Sequence, residues 1–168
     1  GGFTSPTSKV DEVLGFNTNV ATGPVTWRAG YMVGEVETGG LTGLEASFSN
    51  LGMMLDWNDF LVYSEYTQVH IKSLLVPNTA AWYATFGRRF GKWTPHVTYS
   101  TIETKDSNSP VLREQDSTIV GLKYELTAQT SLKAEWQMTD VATGSSGTFD
   151  ANPGDDVNVF TIAVDIVF

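Results

Sequence analysis

The stretch STIVGLKYELTAQTSLKAEWQMTD, residues 117–140, decides the fold. Apolar residues recur at every second position on both sides of the segment TAQT, residues 127–130, and mostly polar residues fill the positions between them. Successive side chains of a β-strand point to opposite faces, so this pattern predicts two strands that each have an apolar and a polar face. The short segment between them predicts a tight hairpin connection.

The same unit recurs along the rest of the chain, with about 35 to 40 residues per repeat, which is one long hairpin of two strands. Short turns are predicted at residues 22–24, 56–59, 91–92 and 127–130. Longer connections, rich in Asp and Glu, are predicted at residues 35–46, 68–80, 103–118 and 141–156. Short turns at one end and long loops at the other are typical of a membrane β-barrel, and the pattern predicts about nine strands.

Length, charge and composition exclude several classes of protein. The chain has 168 residues, a formal net charge of −9 and no cysteine. The acidic balance argues against a nucleic-acid partner, and the missing cysteines exclude disulfides and thiolate metal sites. No stretch has the roughly 18 consecutive apolar residues of a membrane helix. The mean hydropathy of −0.10 is that of a soluble protein, but a barrel has the same value because only alternate residues face lipid.

The aromatic residues separate a membrane barrel from a soluble β-sandwich, which is the main alternative. Membrane barrels place aromatic girdles at both interfaces, whereas a sandwich would bury aromatic residues in its core. Several aromatic residues lie close to predicted strand ends, and a lipid-facing girdle is predicted from Trp27, Phe90, Trp93, Tyr124 and Trp136. The predicted strands are also longer than typical sandwich strands.

The charged residues follow the opposite phase of the strands. A charge that faces lipid at the membrane midplane costs about 2–4 kcal/mol, so charges are expected on a wet inner wall. The predicted pore-lining residues are Arg28, Glu65, Arg89, His96, Lys123, Glu125, Lys133, Glu135 and Asp165. Salt bridges between neighbouring strands, Lys123 with Glu135 or Glu125 with Lys133, are a second interpretation of the same charges. Arg88 departs from this phase, because it shares the apolar face of Phe86 and Phe90.

Catalytic and metal-binding arrangements have little support in the sequence. The two histidines are His70, predicted in a loop, and His96, predicted on a polar strand face. Hydrolase-like pairs of His96 with Ser100, or of His70 with Asp140, rest on no diagnostic spacing. An acidic loop with Asp150, Asp155 and Asp156 could bind Ca²⁺, but it lacks EF-hand spacing. The sequence therefore predicts no metal, no cofactor and no enzyme.

Three segments resemble the last five strands of Gram-negative outer-membrane porins: residues 81–100, 117–140 and 156–168. The resemblance implies an all-β, antiparallel up-and-down transmembrane barrel, with short periplasmic turns and long extracellular loops. It also implies a homotrimer in the bacterial outer membrane. In that family, the final Phe and the alternating apolar residues before it resemble the signal read by the barrel-insertion machinery; the matching residues here are Phe160, Ile162, Val164, Ile166 and Phe168.

Topology then predicts that residues 1–168, a single porin β-barrel domain, are the C-terminal portion of a larger barrel, which the resemblance implies has roughly 16 strands. Complete bacterial barrels have an even number of strands, and nine strands would place residues 1–9 in an extracellular loop. The predicted function is passive diffusion of small hydrophilic solutes or ions through a water-filled channel, with outer-membrane lipid around it. The alternatives are a non-channel barrel that acts as an adhesin or surface receptor through its loops, and a soluble all-β binding module.

Overall fold

The computed structural model describes residues 9–38, 41–73, 76–106, 109, 111–154 and 156–167. Nine strands account for most of them. The strands are β1 (Lys9–Thr22), β2 (Val25–Thr38), β3 (Leu41–Trp57), β4 (Phe60–Ile71), β5 (Thr79–Arg88), β6 (Trp93–Thr104), β7 (Gln115–Glu125), β8 (Thr130–Val141) and β9 (Val157–Ile166). Within this part of the chain, no helix is long and apolar enough to cross a membrane.

The nine strands form one antiparallel sheet in the order β1 to β9, and each strand pairs with its neighbours in sequence. This up-and-down arrangement confirms the predicted fold class. The sheet does not close on itself over the described residues, since β1 and β9 are its two outer strands. The predicted extracellular segment 1–9 lies outside the described residues except for Lys9, which begins β1.

The four predicted tight turns are confirmed. β3 and β4 are joined by only Asn58 and Asp59, which both have positive φ values of 48° and 67°. A two-residue turn with two positive φ values matches the twist of the strands it joins, and Asn and Asp tolerate that conformation better than most residues. Gly23 and Gly91 have positive φ in the turns after β1 and β5.

The predicted long connection at residues 141–156 is confirmed to within one residue, those at 68–80 and 103–118 are too long, and the one at 35–46 is wrong. β2 continues to Thr38 and β3 starts at Leu41, with Glu35 paired opposite Glu45. The backbone ladder continues there although the side chains are acidic, because strand pairing needs no apolar side chain. His70 was also predicted in a loop, but it lies in β4 opposite Ser47.

The two faces of the sheet differ sharply in composition. One row of paired residues crosses β2 to β9 and is apolar throughout: Val25, Leu55, Val62, Phe86, Val97, Val120, Trp136 and Phe160. We call the face that carries this row the apolar face. Another row crosses β2 to β8 on the opposite side: Arg28, Gly52, Glu65, Tyr83, Ser100, Ser117 and Thr139. We call this side the polar face.

Burial is inverted relative to a soluble protein. On the polar face, Ser117 and Thr139 are 4% and 2% exposed and hydrogen-bond to each other at 3.1 Å. On the apolar face, Phe160 and Ile162 are 67% and 70% exposed. A sandwich buries its apolar face and leaves polar side chains outside. An apolar face this large and this exposed indicates an apolar solvent around the sheet.

Candidate pore wall and the segment that covers it

The predicted pore-lining residues come together on the polar face. The register places Arg28 and Glu65 in one row, and His96 and Glu135 in another. Glu125 lies opposite Ser131, which in turn lies opposite Asp165. Because residues that pair across strands share a face, the strand residues of the predicted set lie on the same side of the sheet. Their role as a pore wall stays a prediction.

A histidine and a carboxylate meet on this face across an intervening strand. His96 on β6 pairs with Gly121 on β7, which pairs with Glu135 on β8. His96 Nε2 lies 2.9 Å from Glu135 Oε1. A Cβ at Gly121 would collide with the imidazole, so the missing side chain is what lets the two residues meet over β7. His96 was expected only to line the wall, and its partner was missed because the contact depends on register.

The predicted salt bridges between strands are wrong. Lys123 lies directly opposite Lys133 in the pairing of β7 and β8. Each lysine instead reaches a carboxylate two residues away on its own strand: Lys123 Nζ lies 3.6 Å from Glu125, and Lys133 Nζ lies 3.2 Å from Glu135. Two like charges placed opposite each other repel, so neutralisation by neighbours on the same strand and face is the favourable arrangement.

Arg89 follows the end of β5 and forms a bidentate pair with Asp56 near the end of β3. Its two terminal nitrogens donate to the two carboxylate oxygens at 2.8 and 2.6 Å. The Asp56 carboxylate raises the pKa of the Arg89 guanidinium above its ordinary value. Arg89 also lines a cleft of about 280 Å³ together with Lys123, Glu125 and Lys133. The tight-turn end of the polar face therefore carries charges of both signs around one space.

Three asparagines complete the polar face near β1 to β4. Asn50 donates to Glu65 at 2.7 Å, and Arg28 Nε donates to Asn19 at 3.2 Å. Gly30 lies between Asn17 and Asn50 in register, and a Cβ there would overlap both side chains. These asparagines were not predicted, because the pore wall was predicted from the charged residues and one histidine. The signal that could have found them is their position, two residues apart on the polar phase of β1 and at the centre of β3.

Residues 142–150, which we call the roof segment, fold back onto the polar face. Ser145 is fully buried, accepts backbone hydrogen bonds from Glu114 at 2.7 Å and Gly147 at 2.9 Å, and donates to the carbonyl of Leu112 at 3.0 Å. Arg113 donates to the carbonyls of Gly147 and Phe149 at 2.9 and 3.0 Å. This clamp joins the connection after β8 to the connection before β7.

The roof segment is also tied to the polar face itself. Gln115 belongs to that face, since it pairs with Ile102 and Val141. Its side-chain oxygen accepts hydrogen bonds from the backbone and the hydroxyl of Thr148, both at 3.0 Å. Thr148 shares one cleft of about 210 Å³ with Glu65 and Tyr83, which lie on β4 and β5. The sequence predicted an acidic loop here but gave no sign that it covers the sheet.

The predicted girdle residues lie along the apolar face or beside its tight turns. Trp93 and Tyr124 pair across β6 and β7, with ring centroids 4.3 Å apart. Trp27, Phe90 and Trp136 are all about half exposed. Trp136 lies near the middle of β8, so the register places it away from the strand end. The girdle role of the five residues stays a prediction.

The predicted assembly signal lies on the exposed apolar face of β9. Phe160, Ile162, Val164 and Ile166 pair with apolar residues or Thr130 of β8 and are strongly exposed. Phe168 lies outside the described residues. Recognition of this strand by the insertion machinery stays a prediction.

Arg88 lies on the apolar face, as its position in the sequence indicated. Its guanidinium carbon lies 4.8 Å from the ring centroid of Phe60 and 4.9 Å from that of Phe90. Aromatic rings attract a cation through their electron-rich faces, which lowers the cost of a charge on this side. Phe60 was missed as a partner because it belongs to a different strand, opposite Arg88 in the β4–β5 pairing.

The suggested hydrolase pairs are not brought together. His96 and Ser100 lie four residues apart on β6, about 13 Å at the rise of a strand. His70 on β4 and Asp140 on β8 are four strands apart in the sheet, about 19 Å at ordinary strand spacing. Among the described residues, no three His, Asp or Glu side chains are grouped to hold a metal. Asp155 of the suggested Ca²⁺ loop lies outside the described residues.

Solved structures similar to this one include two outer-membrane proteins. The anion-selective porin from Comamonas acidovorans matches with a TM-score of 0.72 and 15% sequence identity, over 93% of this chain and 49% of that chain. The outer-membrane expressed OmpT of Vibrio cholerae matches with a TM-score of 0.69 and 15% identity, over 92% of this chain and 55% of that chain. This chain therefore spans about half the length of the structures it matches. No protein-family model and no curated protein matches the sequence.

At this identity the comparisons show the fold, which is that of an outer-membrane β-barrel. They confirm the resemblance to porin-like barrels and support the predicted location in the bacterial outer membrane.

The prediction that the chain is not an enzyme is corrected by the same comparison. The second similar structure is an outer-membrane protein named OmpT, and a fold shared with it at 15% identity gives no ground for excluding catalysis. The match identifies no catalytic residue at 15% identity. The exclusion of enzymatic activity is therefore withdrawn.

Proposed function

We propose that the chain forms part of the wall of a water-filled outer-membrane channel for small hydrophilic solutes or ions. The observation that carries the proposal is the inverted burial: serine and threonine side chains are buried on the polar face, whereas large apolar side chains are exposed on the other. A receptor barrel could share this inversion. The charged clefts of the polar face, with Lys123, Glu125 and Lys133 around one open space, favour a hydrated interior.

The channel would include more strands than these nine. β1 is exposed along almost its whole length, and both outer strands present unpaired backbone groups, which lipid does not tolerate. This chain covers about half of each similar structure, which supports a larger barrel in which residues 1–168 form one portion of the barrel domain. The predicted homotrimer stays a prediction.

Single-channel recording of the full-length protein in planar lipid bilayers tests the proposal. We expect stepwise, ohmic conductance in KCl. Lys123→Glu should shift the reversal potential in a salt gradient toward cation preference, because the variant makes the net charge of the pore wall more negative by two units.

Lys105→Glu is the matched control for this shift. Lys105 follows the end of β6 and pairs with Glu103, away from the polar face. The same charge change there should have a much smaller effect on the reversal potential. Absence of any conductance would overturn the channel and favour a plugged barrel that works as a surface receptor.

A further inference from the structure

At its outer end, the polar face carries a group of apolar side chains. Val69, Ile71 and Ile102 belong to this face by register, near the ends of β4 and β6 that lead into the longer connections. All three are half-buried. Closer to the tight turns the same face carries Arg28, Glu65 and the lysine pairs. The face carries other apolar residues, such as Ile119, but these three lie together beside one cleft, and we call them the apolar floor.

The roof segment covers this floor. Gly147, Thr148 and Asp150 line one side of a cleft of about 350 Å³, and Val69, Ile71 and Ile102 line the other. We call this space the roofed cleft. Its size lies within the range of small-molecule sites, about 300–1,000 Å³. The hydrogen bonds from Arg113 and Gln115 hold the roof in place, so the cleft is formed without a ligand.

The lining of the roofed cleft defines the chemistry of a ligand. The floor offers apolar contact. The rim offers the hydroxyl oxygens of Thr79 and Thr148, of which Thr148 donates its hydrogen to Gln115, and it carries charges of both signs, Arg113 and Asp150. Opposite charges at one rim select neither an anion nor a cation. They suit an uncharged group with several hydroxyls that can donate as well as accept hydrogen bonds.

We propose that the roofed cleft is a binding site for a small uncharged solute that has an apolar ring at one end and hydroxyl groups at the other. The proposal rests on the proposed channel, because the solute would reach the cleft from the lumen. Such a site would raise the local concentration of amphipathic solutes at the outer end of the pathway.

Calorimetric titration of the full-length protein in detergent tests the site independently of conductance. The probes are phenyl β-D-glucopyranoside and methyl β-D-glucopyranoside, which share the sugar and differ in the ring. We expect measurable binding of the phenyl compound and at least about tenfold weaker binding of the methyl compound, since only the ring can cover the floor.

Ile102→Gln tests the floor, and Ile119→Gln is the matched control. Both isoleucines lie on the polar face, but Ile119 pairs with Thr98 and Gln137 outside the roofed cleft. We expect Ile102→Gln to weaken phenyl-glucoside binding about tenfold and Ile119→Gln to leave it unchanged. Equal effects of the two substitutions, equal binding of the two glucosides, or no binding would overturn the site. Conductance measured on the same samples decides the channel separately.

Discussion

The two faces of one sheet show opposite relations between chemistry and exposure. On the apolar face, Val120 and Phe160 are 53% and 67% exposed, and nothing in the described chain covers them. On the polar face, Ser117 and Thr139 are almost inaccessible and hydrogen-bonded to each other. The backbone pairing is the same for both faces. The difference therefore lies in the solvent that each face meets.

The polar face has the organisation of a core. Its side chains meet across a strand where a glycine leaves room for them, as His96 meets Glu135 over Gly121. The apolar face has no such specificity, because lipid tails fit against any apolar surface. Substitutions should accordingly be judged by polarity on one face and by shape and partners on the other.

The largest expected effect comes from placing a charge on each face in turn. Val120 and Ile119 are neighbours at the middle of β7 and point to opposite faces. Val120→Arg should lower the free energy of unfolding in lipid vesicles by about 2–4 kcal/mol, the cost of an arginine at the bilayer midplane. Ile119→Arg should cost much less, because its guanidinium would reach a wet face. Urea titration of both variants in vesicles measures the difference.

Equal destabilisation by these two substitutions would contradict the assignment of one face to lipid and the other to water. It would mean that both faces are dry, as in a barrel whose lumen is plugged. A smaller effect at Val120 than at Ile119 would mean that the faces have been assigned the wrong way round.

A smaller effect is expected from filling a gap on the polar face. Gly121→Ala would push the imidazole of His96 away from Glu135, because the new Cβ would occupy the space of the ring. The ring can swing aside, so the expected cost is that of the lost hydrogen bond, about 1 kcal/mol of unfolding free energy. Denaturant unfolding in vesicles measures it.

Gly52→Ala is the control for this substitution. Gly52 also lies on the polar face, but a Cβ there would meet Ser64 and Glu65 at 3.4 Å or more, which is ordinary contact. Its stability should stay within about 0.5 kcal/mol of the unchanged protein. In a His96→Ala background, Gly121→Ala should also lose most of its cost. A full cost in that background would show that the clash is with something other than the ring.

Strand number, tight turns and the assignment of residues to faces could be predicted from the sequence, because they depend on local alternation. The phase of Arg28, Lys133 and Asp165 follows from period two alone. Strand ends at three of the four long connections could not be predicted, as Glu35 and Glu45 show. Acidic side chains report exposure, while the ladder between β2 and β3 continues wherever the backbone can pair.

Contacts across strands could not be predicted, because they require register. Lys123 faces Lys133, so each binds a carboxylate on its own strand, and no rule of spacing within one strand reveals that. The roof segment is the larger omission. Its position depends on Ser145, Arg113 and Gln115, which come from two connections and one strand. An acidic composition is equally typical of a loop that extends away from the sheet.

The smallest expected effect concerns Arg88, a charge on the apolar face close to a tight turn. Arg88 lies against the rings of Phe60 and Phe90, so an aromatic cradle substitutes for water at this position. Phe60→Leu should lower the free energy of unfolding by roughly 0.5–1 kcal/mol, the value of an exposed cation–π contact. The substitution also removes the contact of Phe60 with Phe86, whose ring centroid lies 5.8 Å away, so a double-mutant cycle with Arg88→Gln is needed. If Phe60→Leu costs as much in the Arg88→Gln background as in the unchanged protein, the arginine gains nothing from the ring. A lower cost in that background would show that the ring of Phe60 stabilises the charge of Arg88 on this face.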